Sequence, residues 1–417
     1  MPYPITPSVV IDFSNGAQFG YSSFVIGDPK FGIIGTNTFA DALPSIVDVS
    51  GQTTKVSLQG GYNLLQDQFV AGTGKFRVID PNGDFNPQNT SSPYYGKLVP
   101  LRKIRMTADY AGKGYFLFSG YITAWNYTYP KDQNIGYVDI EASDGFRLFA
   151  LSNVTTVTGA IAGQDTGTRI NKILDMLGFP NSMRSVDTGA TTCQADPATT
   201  RTALSALKTV EFTEQGAFYM DGQGNANFIS RPNLEKKAAA TPTYFSNAGD
   251  GGIPYFNIAL ANDDKLIINE ANITSIGLAT QTASDATSKA VYFPHTYTVG
   301  NLLTQTTDEA LNIARAYVAT RKDTSVRIDA MTLDLTTPNY AAGITAALSS
   351  NYFDLFKIRN DSQGNTTLVK TLEVVGVAHE ITPQTWKTTF TTSEPIIDAF
   401  IVGNQTFGII GQSVMTY

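Results

Sequence analysis

The 417-residue sequence predicts a mainly β architecture with a small α+β domain. Three observations carry that prediction. Charged residues are only 16% of the chain while Tyr and Phe number 20 and 24, a mix that favours half-buried strands and turns over long helices. Alternating apolar and polar runs bounded by turn residues recur over 46–150 and again over 239–395. Helical spacing is concentrated in 151–238 and in one stretch near 306–318. A chain this long has room for two or three domains, each with its own core.

Taken in order, residues 1–45 form an N-terminal arm. Pro2, Pro4 and Pro7 keep its start out of helix. Apolar runs at 24–26 and 31–34, separated by Gly27-Asp28-Pro29-Lys30, predict a hairpin. Residues 396–417 repeat it: FVIGDPKFGIIG at 24–35 and FIVGNQTFGIIG at 400–411 are identical at seven of twelve positions. They are either one hairpin recipe used twice or two copies of a docking element.

Residues 46–150 read as a first β-barrel, with strands at 55–58, 74–79, 101–107, 114–124 and 134–142, closed by 144–151. Residues 151–238 change character. Ile170, Ile173, Leu174 and Leu177 make a helix stopped by Gly178 and Pro180, and Leu204, Leu207 and Val210 mark a second. Asp221-Gly222-Gln223-Gly224-Asn225 joins 218–220 to 226–229 as a hairpin. Residues 239–395 return to strands at 266–276, 326–335, 352–359, 368–381 and 385–392, a second barrel with an insertion at about 277–325. In the insertion Thr306 and Glu309 fit a capping box, and Leu311, Ala314 and Val318 form the helix's apolar face. The two bodies share a pattern. LRKIRM at 101–106 matches LFKIRN at 355–360, and FSGYITAW at 118–125 matches VVGVAHEI at 374–381. An internal duplication is the expectation.

Chemistry is sparse. One cysteine, Cys193, excludes an intrachain disulfide framework, and two histidines, His295 and His379, make a Cys/His zinc site untenable. Asp80-Pro81-Asn82-Gly83-Asp84 opens like a calcium loop, but Phe85 replaces the sixth-position glycine and Ser91 the terminal glutamate, so an Asx-type turn is expected. Gly72-Thr73-Gly74-Lys75 lacks the first glycine and the hydroxyl of a phosphate loop, whose places Phe69 and Phe76 take. There is no G-x-S-x-G elbow. Asp263-Asp264 sits in a turn, His379 on a strand beside Glu380, and the basic run Arg102-Lys103-Arg105 alternates with Leu101, Ile104 and Met106 as one strand. No catalytic, metal or cofactor-binding residue is assigned, and no enzyme activity is expected. The net charge of −7 speaks against nucleic-acid binding by charge attraction. Neither a signal peptide nor a membrane span is expected.

The stretch FVAGTGKFRVIDPNGDFNPQNTSSPYYGKLVPLRKIRM at 69–106, followed by LFSGYI and VDIEASDGFRLFA, resembles minor tail proteins of long-tailed bacteriophages. The residues that carry the pattern are Phe69, Ala71, Gly72, Thr73, Asp80, Phe85, Asn86, Pro87, Asn89, Pro93, Tyr94, Tyr95, Pro100 and Arg105. Looser similarity runs from about residue 45 to 395. The resemblance implies the baseplate hub, with two barrels of the tail-tube type plus peripheral domains. Such hubs are homotrimers. Six barrels make a pseudo-sixfold ring that stacks on the tail tube and distal tail ring, while its lower face offers threefold symmetry. The implied place is the virion, at the distal end of the tail. The implied partners are the distal tail protein ring, the tape measure protein and tail fibre or tip proteins, with phage DNA crossing an acidic bore without specific binding. The chain carries no long C-terminal extension that would hold a hydrolase. Two alternatives stand beside it: a hexameric distal tail ring protein, needing one barrel per chain, and a cell-wall-degrading or glycan-binding tail protein.

Overall fold

The computed structural model describes residues 4–13, 16, 19, 46–130, 135–337, 339–362 and 366–395. Both copies of the repeated hairpin, 24–35 and 400–411, lie outside the described residues.

Strands β1 (Ile5–Asp12) and β2 (Ile46–Asp48) precede a five-strand unit made of β3 (Thr53–Asn63), β4 (Gln68–Asp80), β5 (Lys103–Tyr110), β6 (Lys113–Thr128) and β7 (Gly136–Ser143). The sheet order is β3-β4-β7-β6-β5, all antiparallel, with β1 on β5 and β2 on β1. Period-two alternation sets the faces: in β4, Phe76 and Val78 are buried while Lys75 and Arg77 point away. The β5–β6 turn is Ala111-Gly112, with φ of 54° and 77°, the geometry that matches strand twist in a two-residue hairpin. β6 is long because it serves two partners. Residues 113–121 pair with β5 and 121–128 with β7, with a bulge between Ile122 and Ala124.

The α+β body follows. Helices α1 (Phe146–Leu151), α2 (Thr166–Met176), α3 (Ala203–Glu214) and α4 (Arg231–Ala238) are interleaved with β8 (Asn153–Val154), β9 (Gln164–Asp165), β10 (Arg184–Val186), β11 (Thr192–Cys193), β12 (Arg201–Thr202) and the hairpin β13 (Ala217–Met220) and β14 (Ala226–Ile229). Asp165 and Thr202 cap α2 and α3 by accepting from Thr168 N and Ser205 N. Ile170, Ile173, Leu174, Leu207, Val210, Phe218 and Phe228 share one core, which also takes in Phe69 of β4.

The second stretch of strands comprises β15 (Thr243–Ser246), β16 (Asn257–Ala261), β17 (Glu270–Ser275), β18 (Gln281–Ser284), β19 (Thr296–Leu302), β20 (Arg327–Asp334), β21 (Leu355–Ser362), β22 (Thr366–Ile381) and β23 (Trp386–Ser393), with α5 (Ala286–Tyr292), α6 (Thr307–Arg321) and α7 (Ala341–Ser349) among them. The chain leaves the main sheet after β16 and regains it at β20. The strand expected at 266–276 is therefore not in that sheet. As β17 it pairs with β18 and β19 and packs on α6, whose capping box at Thr306 and Glu309 is formed. α1, α4, α5 and α7 are additional to the expected helices. α7 reads AAGITAALS, and Thr345 and Ser349 are its polar side chains, so its amphipathic period is weak.

The unit β16, β20, β21, β22, β23 repeats the first unit. Its order, β16-β20-β23-β22-β21, is that of β3-β4-β7-β6-β5. The last three strands have lengths 8, 16 and 8 in both units. The long strand is bulged at the corresponding place, Val374 to Gly376 in β22. The register differs from the one the sequence match implies. Lys103 lies opposite Tyr121, itself opposite Ser143, and Leu355 lies opposite Glu373, itself opposite Ser393. Lys103 thus corresponds to Leu355 rather than Lys357, and Ala124 rather than Gly120 corresponds to Gly376. The two-residue error in the first match keeps the buried face buried, so alternation alone could not resolve it, whereas the four-residue error in the second crosses the bulge and sets buried Ile122 against Ala378 of the outer face.

One more pairing joins the units: Gly376–Ile381 of β22 runs antiparallel to 56–61 of β3. Thirteen strands thereby form one sheet over a core shared by both units, Phe76, Val78, Ile104 and Ile140 from one and Met331, Leu333, Phe356 and Phe390 from the other. Among the described residues the strand path is open, and no ring of strands closes.

The join needs glycine. Gly61, at φ 148°, faces Gly376, and a Cβ added to Gly61 would lie 2.4 Å from the Gly376 Cα and 2.6 Å from the Val375 carbonyl oxygen. Gly61→Ala is expected to cost roughly 2–4 kcal/mol. Gly112→Ala, in an open turn, is expected to cost about 1 kcal/mol. Urea unfolding of both variants beside the native chain measures the difference, and equal losses would contradict a packed join.

Candidate functional site

The residue types that could carry chemistry are dispersed and structural. Cys193 is buried, and burial pushes its thiol up to about 11. His295 sits in a loop, where Asn269 Oδ1 accepts from its backbone N–H at 2.8 Å. Asp263 is held by Arg327 at 2.9 Å and Lys265 at 3.2 Å, and the guanidinium bond brings its carboxyl down to about 2. Among the described residues no cluster of three or more His, Cys, Asp or Glu could hold a metal.

The Asp80 tract is the expected turn. The Asp80 carboxylate accepts from Asp84 N at 2.7 Å and Phe85 N at 3.0 Å, and Asn89 Nδ2 donates to the Gly83 carbonyl at 3.0 Å. Phe85 is buried and stacks with Tyr94 and Trp125, and Phe13 adds to the same aromatic group. The motif residues thus build a plug over one end of the first unit's core. Gly72 lies in β4, and its N–H donates at 2.7 Å to buried Asp144, which burial pushes up to about 7. The Arg102 strand alternates as expected: Ile104 and Met106 are buried, and Arg105 lies over the Phe116 ring at 5.4 Å.

What the fold does bring together is a continuous polar face on the side of the sheet away from the shared core. Cross-strand partners give the row Asp334, Lys387, Glu380, Ser57, Lys75, Glu141, Ala124, one residue from each of β20, β23, β22, β3, β4, β7 and β6. The Ser57 hydroxyl donates to Glu380 across the join, and Lys75 pairs with Glu141 at 3.2 Å. A neighbouring row, Thr332, Thr389, Ala378, Gln59, Thr73, Ser143, is polar and uncharged. Arg77 and Asp139 pair at 2.7 Å beside them. Exposed pairs of this kind contribute about 0–1 kcal/mol each, so they set the character of the surface more than its stability.

The side chains on the opposite side of the join are buried. His379 lies opposite Leu58, buried, with its Nδ1 2.9 Å from Thr388 Oγ1 and Trp386 Nε1–H donating to it at 3.4 Å. A second buried contact ties the β3–β4 turn to α6. Asp67 accepts from Arg321 at 2.5 Å and from the Tyr317 hydroxyl. Neither group brings a nucleophile and a base together. The arrangement holds two sheet units and their peripheral bodies in fixed relation.

Its pairing order defines the class: an internally repeated antiparallel β protein with an α+β body between the repeats. Two solved structures share that fold. The 43 kDa tail protein of prophage MuSo2 from Shewanella oneidensis is 13% identical, with 84% of this chain and 96% of that one covered at a TM-score of 0.54. The tail protein from Neisseria meningitidis MC58 is 10% identical, with 94% and 97% covered at a TM-score of 0.56. No family model matches the sequence, and comparison with curated proteins gives no match. The fold is that of phage tail proteins, as the sequence motif implied.

Burial brings the His379 ring down to about 4 from its ordinary 6.5. The unfolded chain therefore takes up a proton that the folded chain refuses. This contribution is complete above pH 6.5 and is lost as pH falls toward 4, amounting to roughly 3 kcal/mol. The stability of the native chain minus that of His379→Gln, from urea unfolding across that window, is expected to shrink steadily as pH falls. A difference independent of pH would contradict the burial of this ring at the join.

Proposed function

We propose that the chain is a structural component of a phage tail, the hub of the tail tip. The observation that carries the proposal is the five-strand unit present twice in one chain. Three chains would then supply six equivalent units, matching a sixfold tail tube above and threefold tip or fibre proteins below. A distal tail ring of six chains would need the unit only once, so the repeat favours the hub.

Each unit is a tube-type barrel in this proposal, its sheet curled around its own half of the shared core. Residues 46–150 and 239–395 are the two barrel domains, 151–238 and the segment between β16 and β20 the peripheral ones, and the repeated segments 24–35 and 400–411 of the end arms 1–45 and 396–417 dock on the two barrels or on neighbouring subunits. The homotrimer contacts the distal tail protein ring, the tape measure protein and tip or fibre proteins. The polar face lines the bore. In its charged row Lys75 pairs with Glu141, Lys387 stands in register between Asp334 and Glu380, and carboxylates outnumber lysines three to two. DNA phosphates passing the row meet more carboxylates than lysines, which weakens any counterion-release term. The row is weakly rather than strongly acidic, but it serves the same end.

The fold shared with two tail proteins over most of this chain supports the proposal, and no nucleophile–base pair among the described residues favours a wall-degrading enzyme. Antibody labelling of intact phage particles, viewed by electron microscopy, tests it. Label is expected at the tail end remote from the capsid. Label along the tube or at the capsid junction would contradict it.

A further inference from the structure

The join between the repeats is a template, and each repeat has one edge on which that template is left unused. At the join, β22 supplies Gly376–Ile381 and β3 supplies 56–61, with His379 opposite Leu58 and Ile381 opposite Val56. The matched bulges put Tyr127, in β6, in the place of His379, and Tyr129, just past the end of β6, in that of Ile381. Ile258 faces Met331 of β20 as Val56 faces Phe76 of β4, so Ile258 of β16 takes the place of Val56, and Leu260, two residues further along β16 and opposite a bulge in β20, follows on the same side as Leu58 does. Among the described residues, neither this part of β6 nor the outer edge of β16 has a strand beside it.

Burial shows what is missing. At the join Val56 and Leu58 are each 3% exposed, His379 4% and Ile381 5%. At the open edges Leu260 is 50% exposed and Tyr129 50%, while Ile258 and Tyr127 are half-buried. Phe256, next to β16, is 60% exposed. β16 reads NIALA, with no charge and no proline to keep another strand away. Its two apolar side chains are those that, one repeat earlier, a strand covers.

We propose that β16 of one chain adds to the free edge of β6 in a second copy, antiparallel, with Leu260 opposite Tyr127 and Ile258 opposite Tyr129. This rests on the hub reading and adds to it the surface and register of the contact. The two edges differ, so the contact is head-to-tail, and chains joined this way close into a ring when the rotation permits. Every unit then meets its neighbour through the same strand pair, alternately within a chain and between chains.

Disulfide trapping in the full-length protein tests the register. Opposed residues in an antiparallel pair have Cα atoms about 4.5–5.5 Å apart, inside the range a disulfide spans. The native thiol, Cys193, is buried. Tyr127→Cys/Leu260→Cys is expected to give covalent dimers and trimers on a non-reducing gel under mild oxidation. Thr128→Cys/Leu260→Cys, one residue slipped and so on opposite faces, is expected to give none. Mixing singly substituted Tyr127→Cys and Leu260→Cys chains should give only a covalent dimer. Equal trapping of the slipped pair would overturn the register, as would no trapping in a preparation that native mass spectrometry shows to be assembled. Either result would leave the hub reading standing. A native chain that stays monomeric up to its solubility limit would overturn the contact and the ring together. Leu260→Lys gives a second measure: it should dissociate the assembly while leaving the urea midpoint of the monomer in place, and an assembly that survives it would overturn the proposal.

Discussion

Where β22 meets β3, Gly61 and Gly376 lie against each other with no room for a side chain between them. Immediately beyond, His379 and Ile381 cover Leu58 and Val56 on one face of the sheet, and Glu380 accepts from Ser57 on the other. Backbone contact this close makes two repeats into one sheet. It gives them a shared core below and an unbroken polar row above. Without it each repeat would expose a strand edge inside its own chain. The bulges in β3 and β22 beside the glycines bend the strands where they meet.

The peripheral bodies are fastened from that sheet outward. Phe69 of β4 enters the core of the α+β body, and Asp144 accepts from Phe146 N at the start of α1 and from Gly72 N of β4. Asp67, in the turn after β3, holds Arg321 and Tyr317 of α6. The Asp67 and Arg321 side chains are almost wholly shielded from water, so removing either would strand a buried charge. Strands β3 and β4 therefore anchor both appended bodies and the second repeat.

Much of this was legible in the sequence. The strands of the first repeat alternate cleanly, and Asp80, Asn82-Gly83 and the prolines announce the plug. The capping box at Thr306 and Glu309 marks α6. The repeat was visible as LRKIRM against LFKIRN, but its register was not, because a two-residue slip preserves which side chains are buried. An excursion was expected at about 277–325, but its earlier start was hidden for a related reason: β17 alternates like a strand of the main sheet, and only its pairing with β18 and β19 reveals otherwise. α7 escaped because only Thr345 and Ser349 break its apolar surface. The join itself had no sequence signal beyond glycines in two strands, since a contact between residues 61 and 376 has no local pattern. The structure gives Cys193, His295 and His379 each a structural setting.

The account turns on the two repeats acting as equivalent members of one ring. End-on cryo-electron microscopy of the assembled protein, averaged without imposed symmetry, tests that claim most directly. Three chains should give six similar sheet densities around the bore, with a periphery that repeats only three times. Six chains each placing one sheet unit on the bore, or three densities there in place of six, would contradict it.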